Sequence, residues 1–111
     1  MAFKVLFLAH TPDAEPKKHR CSITTPNCFS LFAVIVKNQK QAIEVCQEMV
    51  KREGIQSILL CPGFTHLDIA EIKKVVGKNV GISVARGDGP SNRIALKAME
   101  KEGWFTKRNS R

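Results

Sequence analysis

The sequence predicts a single small α/β domain with a mostly parallel sheet of about four strands and about three helices, in the order β-β-α-β-α-β-α. Short apolar segments alternate with amphipathic segments of helical period, and turn-forming residues separate them. Strands that alternate with helices are typical of parallel sheets with right-handed crossovers. The length of 111 residues, with 43% hydrophobic and 25% charged residues, fits one globular domain.

The first two strands are predicted at residues 3–9 and 29–36. The first segment is almost wholly apolar, and the second is rich in β-branched and aromatic residues. A long connection separates them, in which residues 14–20 could form a single helical turn. Three prolines punctuate this connection: Pro12, Pro16 and Pro26. Because it contains no clear crossover helix, the position and direction of the first strand stay open.

The first helix is predicted between an N-cap at Asn38 and a C′ glycine at Gly54, with Gln41 in the capping-box position. A third strand follows at residues 55–60. The apolar stripe of the helix is expected to be buried, and it consists of Ala42, Ile43, Val45, Cys46, Met49 and Val50.

The second helix is predicted between the cap Thr65 and Gly77, with Asp68 at N3. A fourth strand at residues 80–85 and a last helix from about Pro90 to Gly103 complete the pattern. The side chains of the second helix expected to face inward are Leu67, Ile69, Ile72, Val75 and Val76. The last helix presents Ile94, Ala95, Ala98 and Met99.

The formal net charge of +8 raises the question of nucleic-acid binding. Residues 107–111 carry three basic side chains and no acidic one, so +8 less three leaves +5 for residues 1–106. The other basic residues are dispersed, and one Trp with no Tyr leaves little for base stacking. We therefore expect a domain at residues 1–106 and a basic, frayed tail at 107–111. Nucleic acid is a possible partner but not the favoured one.

The chain is expected to be cytoplasmic. Its longest apolar run, residues 31–36, is far shorter than the roughly 20 residues that cross a bilayer. The N-terminal apolar segment is also too short for a secretory signal. The four cysteines form no CxxC pair, and Cys46 falls on a buried helix face, which argues against a disulfide framework.

Three loops follow predicted strands, and they contain the residue types that a binding site needs. The loops are residues 10–20, 61–64 and 86–89. In parallel α/β sheets such loops gather along one edge, where ligands bind. Arg86 and the helix start behind it would offer an anion a guanidinium fork and amide donors, and Asp88 could orient Arg86 or cap the helix. The alternative is an internal Arg86–Asp88 ion pair that closes a tight turn.

The other loops offer further candidate ligand-binding residues. Gly63 would let the backbone approach a ligand, and Phe64 could stack on a flat ligand or simply anchor its turn in the core. His19 and Arg20 lie in the long first connection, and such connections are often binding loops. His66 at a helix start is more simply a surface residue.

Cys61 is the candidate nucleophile, because a thiolate near a helix N-terminus is stabilised by the helix dipole. His10 or His19 would be its base, and the alternative is an inert, buried cysteine. Whether the chain is an enzyme stays open. The spacing of its His and Cys residues matches no metal site, so neither a metal nor another cofactor is predicted.

Four stretches resemble a family of short bacterial and archaeal α/β proteins classed as a domain of unknown function. The stretches are residues 12–20 (PDAEPKKHR), Thr25-Pro26, residues 61–64 (CPGF) and residues 84–88 (VARGD). Two positions depart from the family pattern: Pro62 stands where a second glycine is usual, and Gly87 where an aromatic is usual. The resemblance implies a small cytosolic protein with a site at the three loops, and it implies no activity.

We expect a domain that binds a small anionic metabolite through Arg86, Arg20 and helix N-termini. Two alternatives belong to other classes: a basic nucleic-acid-binding or protein-interaction module, and a structural subunit of a homo-oligomer. Trp104-Phe105, an apolar pair that follows the last helix, could cover an exposed sheet face or mediate self-association.

Overall fold

The computed structural model describes residues 2–106 and contains five strands and three helices. The elements are β1 (Phe3–His10), β2 (Arg20–Thr24), β3 (Phe29–Val36), α1 (Gln39–Glu53), β4 (Ser57–Leu60), α2 (His66–Val76), β5 (Gly81–Val84) and α3 (Gly89–Lys101). The predicted α/β fold and its element order are confirmed, with one additional strand. The predicted frayed tail, residues 107–111, lies outside the described residues.

The strands form one sheet in the order β2-β3-β1-β4-β5. β1 lies in the middle and is parallel to both of its neighbours, β3 and β4, which answers the question that the sequence left open. β5 is parallel to β4, while β2 is antiparallel to β3 at the opposite edge. One row of paired residues crosses the whole sheet: Arg20, Val34, Leu8, Leu60 and Val84.

The strand that the sequence did not predict, β2, forms a hairpin with β3. The amide of Phe29 donates to Oγ1 of Thr25 (3.0 Å), and the amide of Thr25 donates to the Phe29 carbonyl (2.9 Å). Before β2, the Glu15 carbonyl accepts from the amides of Lys18 and His19, which makes the single turn expected in this connection.

The helix ends follow the predicted caps. Asn38 Oδ1 accepts from the amide of Gln41 (2.9 Å), and Gln41 Oε1 accepts from the amide of Lys37. Thr65 and Asp68 form a reciprocal capping box, with bonds of 3.1 and 3.0 Å. α1 ends at Gly54, whose φ of 72° favours glycine.

The core lies between one face of the sheet and the helices α1 and α2. Side chains of the two helices and of alternate strand positions share this core, including Leu6, Leu8, Val34, Cys46, Ile58, Leu60 and Ile72. Two residues of α2 expected to face inward are exposed instead, since Leu67 is 73% exposed and Val75 38%. Leu67 is the second residue of α2, and Ile72, one turn further along, is the residue of this helix that is fully buried.

The last helix differs most from the expectation. Within the described part of the chain, α3 buries none of its side chains, and Ile94 is 73% exposed.

Among residues 2–106, no helix has the length and apolar character that crossing a bilayer requires. All four cysteines are free thiols.

Burial of Cys46 makes the free energy of unfolding fall as the pH rises into the alkaline range. Desolvation raises the pKa of this thiol from 9.0 to about 12. Above pH 9 the unfolded chain can ionise the thiol while the folded chain cannot, so this group lowers the free energy of unfolding as pH rises. We expect the stability difference between wild type and Cys46→Ala to shrink by about 1 kcal/mol from pH 9 to pH 10. Urea denaturation at each pH measures it.

The control for this experiment is Val45→Ala, a truncation next to Cys46 that removes no titratable group. Its effect on stability should be the same at both pH values. An equally constant difference for Cys46→Ala would contradict the raised pKa.

Candidate functional site

The loops after β4 and β5 meet at the carboxyl edge of the sheet and form a cleft of about 300 Å³, here called the β4–β5 cleft. A Cβ atom placed on Gly87 would lie 3.4 Å from Cβ of Pro62, so the two loops are in close contact. The second and third predicted loops are therefore brought together. The cleft is lined by Pro62, Phe64, His66, Ile69, Val84, Ala85, Gly87 and Asn92.

Two helices begin beside this cleft, α2 at His66 and α3 at Gly89. Their first amides carry the positive ends of the helix dipoles. Both helices contribute a polar side chain to the lining, His66 from α2 and Asn92 from α3. Sequence reasoning did not single out Asn92, although its position in the first turn of a helix behind a strand-end loop was visible.

Arg86 and Asp88 flank the lining residue Gly87 and form an ion pair. Nε of Arg86 donates to Oδ1 of Asp88 at 2.7 Å, and the side chains are 86% and 59% exposed. Asp88 is the N-cap of α3, yet its side chain makes no capping hydrogen bond. The carboxylate therefore orients Arg86, and the exposed guanidinium extends into solvent next to the cleft.

Phe64 anchors its turn in the core. Its ring stacks on the imidazole of His10, with centroids 4.0 Å apart and planes inclined by 22°, and both residues are buried. The stack joins the start of the first loop to the second loop. Since one face of Phe64 is occupied by His10, its remaining contribution to the cleft is an apolar wall.

The end of the first loop lies elsewhere, because His19 and Arg20 lead into the edge strand β2. Arg20 donates from Nε to the Pro16 carbonyl (2.7 Å), and its Nη1 lies 3.5 Å from a carboxylate oxygen of Glu48 on α1. Nδ1 of His19 accepts from the amide of Glu15. Two strands separate β2 from β4, so these residues lie roughly 14 Å from the β4 strand end.

The distance between His19 and the end of β4 limits which histidine could act as a base for Cys61. Its amide donates to the Leu8 carbonyl (3.0 Å), and its half-buried side chain packs beside the core. His19 is too distant to act as its base, which leaves His10 at the end of the neighbouring strand. Gly63 is exposed in the turn behind Cys61 and does not have a positive φ. In residues 2–106, no three His, Cys, Asp or Glu side chains cluster as metal ligands do.

A second cleft, here called the α1 cleft, lies between residues 14–17 and helix α1 and has a volume of about 400 Å³. Its charges balance, with three basic side chains facing three acidic ones. Five of the nine residues in the stretch 12–20 line this cleft, so that stretch was the sequence signal for it. The lining consists of Ala14, Glu15, Pro16, Lys17, Arg20, Lys37, Gln41, Glu44, Val45 and Glu48.

The geometry predicts stability effects of very different size for two substitutions at the β4–β5 cleft. Phe64→Ala empties a buried ring site and should lower the free energy of unfolding by about 3 kcal/mol. Asp88→Asn breaks only an exposed ion pair and should change it by less than about 1 kcal/mol. Urea denaturation of both variants checks this, and a near-neutral Phe64→Ala would contradict the anchoring role.

Comparison with known proteins gives a family but no activity. A model for a family of unknown function (DUF6506) matches residues 3–100. No curated protein and no solved structure matches the chain.

Proposed function

The chain belongs to DUF6506, a family of unknown function, and we propose that it binds a small anionic metabolite in the β4–β5 cleft. The observation that carries this proposal is the meeting of two strand-end loops and two helix starts around one opening. Open α/β sheets bind ligands in the crevice outside the carboxyl ends of their strands. The cleft volume of about 300 Å³ suits a small molecule.

An anion in this cleft would meet three kinds of donor. The amides in the first turns of α2 and α3 supply partial positive charge. The side chains of His66 and Asn92 line the opening and supply hydrogen bonds, while Arg86 adds a full charge at its rim. Ile69 and Val84 form an apolar wall, so the ligand combines an anionic group with a short apolar part.

Two features limit the strength of binding. Pro62 lacks an amide hydrogen and removes one donor from the loop after β4. Asp88 partly offsets the charge of Arg86, because their side chains are in contact at 2.7 Å. We therefore expect a carboxylate or a single phosphate group as the anionic part. The proposal concerns binding, and a reaction at Cys61 is no part of it.

Filling the cleft tests the proposal directly. The backbone of Gly87 does not have a positive φ, and a side chain there would project between Pro62 and Asn92. Gly87→Val should therefore fold and block the opening. In thermal-shift measurements with inorganic phosphate, phosphate monoesters and small carboxylates, a wild-type site gives about 2.7 kcal/mol of stabilisation at a hundredfold excess over Kd. This stabilisation should be lost in Gly87→Val.

The matched control is Gly89→Val, because a Cβ atom at Gly89 would meet nothing within 4 Å. This variant should keep the wild-type shift. No shift with any of the compounds, or an equal shift in Gly87→Val, would refute the proposed site.

Removing the rim charge tests the preference for anions. Arg86→Ala loses a charge-assisted contact worth about 1.5–3 kcal/mol, so affinity should fall roughly tenfold or more. Arg93→Ala removes the same side chain and charge from an exposed position on α3, and it should leave affinity unchanged. Titration calorimetry with the selected anion measures both. Binding of unrelated nucleic acids that weakens steeply with salt, without any anion selectivity, would favour the nucleic-acid alternative.

A further inference from the structure

Within residues 2–106, one face of the sheet carries no helix. α1 and α2 pack on the face that contains the core, and the strand residues pointing the other way remain partly or fully exposed. None of the described strand residues on this face is charged. We call it the open face, and it consists of Phe3, Val5, Phe7, Ala9, Cys21, Ile23, Phe29, Leu31, Ala33, Ile35, Ser57, Leu59, Gly81 and Ser83.

The composition of the open face is that of a buried surface. Parallel strands are normally covered on both faces and have continuous apolar sequences, as β1 and β3 have. Strands with one solvated face alternate apolar and polar residues instead. On the open face Phe3 is 50% exposed and Ile23 is 64% exposed. A quarter of the whole chain is charged, so the absence of charge from these strand positions sets the open face apart.

The helix that could cover such a face also lacks a partner. α3 is amphipathic: Ile94, Ala95, Ala98 and Met99 form one stripe at helical spacing, and Arg93 and Lys97 lie away from this stripe. Within residues 2–106 this helix buries no side chain, and Ile94 is 73% exposed. The two alanines would let the helix axis approach a flat sheet closely.

We propose that the open face is the interface between two copies of this chain, in which α3 of each copy packs on the open face of the other. A twofold axis makes such an exchange reciprocal, so one type of contact satisfies both unpartnered surfaces of both copies. Each sheet then has helices on both faces, as the parallel α/β architecture requires. Although α3 begins beside the β4–β5 cleft, the interface uses the apolar stripe of this helix and does not depend on the proposed ligand.

Area and charge favour a second copy as the occupant. From strand and helix dimensions, the open face and α3 together offer on the order of 600 Å² per copy, near the roughly 800 Å² per partner of a stable complex. A chain with a formal charge of +8 repels its own copies over most of its surface. The uncharged open face is a surface where two copies can meet without that repulsion.

The experiment measures the oligomeric state of the full chain over a concentration series, by sedimentation velocity and by chromatography with light scattering. We expect a dimer for wild type. Ile94→Lys on α3 and Ile23→Lys on the open face should each give monomers. Leu67→Lys is the matched control, because Leu67 is as exposed as Ile94 (73%) but lies on α2, on the covered side of the sheet. It should remain dimeric.

Two native thiols report which surface is covered. Cys21 lies on the open face, and Cys28 lies in the turn before β3, and both are exposed in the single chain. At concentrations well above the dissociation constant, alkylation of Cys21 should slow about tenfold relative to Cys28, because only the free fraction reacts. In Ile94→Lys the ratio of the two alkylation rates should be the same at every concentration. Circular dichroism and thermal unfolding confirm that each variant is folded.

Every outcome decides the proposal. A wild-type chain that stays monomeric at all concentrations overturns it and leaves the open face to a different protein. A dimer that survives both lysine substitutions overturns it as well. If Ile23→Lys dissociates the dimer while Ile94→Lys does not, the open face is an interface but α3 is not its cover, and the reciprocal arrangement is wrong.

Discussion

The rest of the fold depends on the pairing of β1 with two strands at once. Its eight residues form a parallel ladder with β3 on one side, and four of them pair with β4 on the other. Because a parallel pair needs a crossover, this arrangement sends α1 across β1 between β3 and β4. The crossovers from β3 to β4 and from β4 to β5 run in the same direction along the sheet, so right-handed connections place α1 and α2 on the same face. The other face is left open. The core, the two clefts and the unpartnered sheet surface all follow from this arrangement.

The same pairing divides the first loop between two regions of the molecule. Its beginning, His10, stays at the end of β1 and stacks on Phe64 beside the β4–β5 cleft. Its end, Arg20, is carried across β3 to the sheet edge, where it contacts Glu48 on α1. The charged stretch at residues 12–20 therefore builds the balanced surface of the α1 cleft, while the anion site that we propose relies on Arg86 and on helix starts. The two ends of the first loop thus lie in two separate regions of the molecule.

The sequence predicted those features of the fold that residues close together in the chain determine, such as helix ends. The caps at Asn38 and Thr65 and the glycine at Gly54 predicted the ends of two helices correctly, since each acts on backbone groups within a few residues of itself. β2 was missed because it is short and largely polar, and its four-residue turn contains no glycine to signal a hairpin. Helical periodicity identified the apolar stripe of α3, but periodicity does not say which surface a stripe meets.

In the candidate site, too, some features could be predicted from the sequence, and others depended on strand pairing or side-chain geometry. That the loops containing Gly63 and Gly87 would approach each other follows from adjacent parallel strands, whose carboxyl ends share an edge. The placement of Arg20 depended on the unpredicted antiparallel strand. Whether Asp88 caps α3 or pairs with Arg86 is a matter of side-chain geometry, and the sequence supported both.

The position of β5 at the edge of the sheet has a kinetic consequence. β5 is held by a single four-residue ladder to β4, whereas β1 is held from both sides. Regions of a protein open independently when few contacts hold them, and the free energy of such opening is lowest at edges. One wall of the β4–β5 cleft therefore belongs to the part of the sheet that separates most easily. We therefore expect the anion that we propose for this cleft to enter and leave through brief detachment of β5, while the central strands keep their hydrogen bonds.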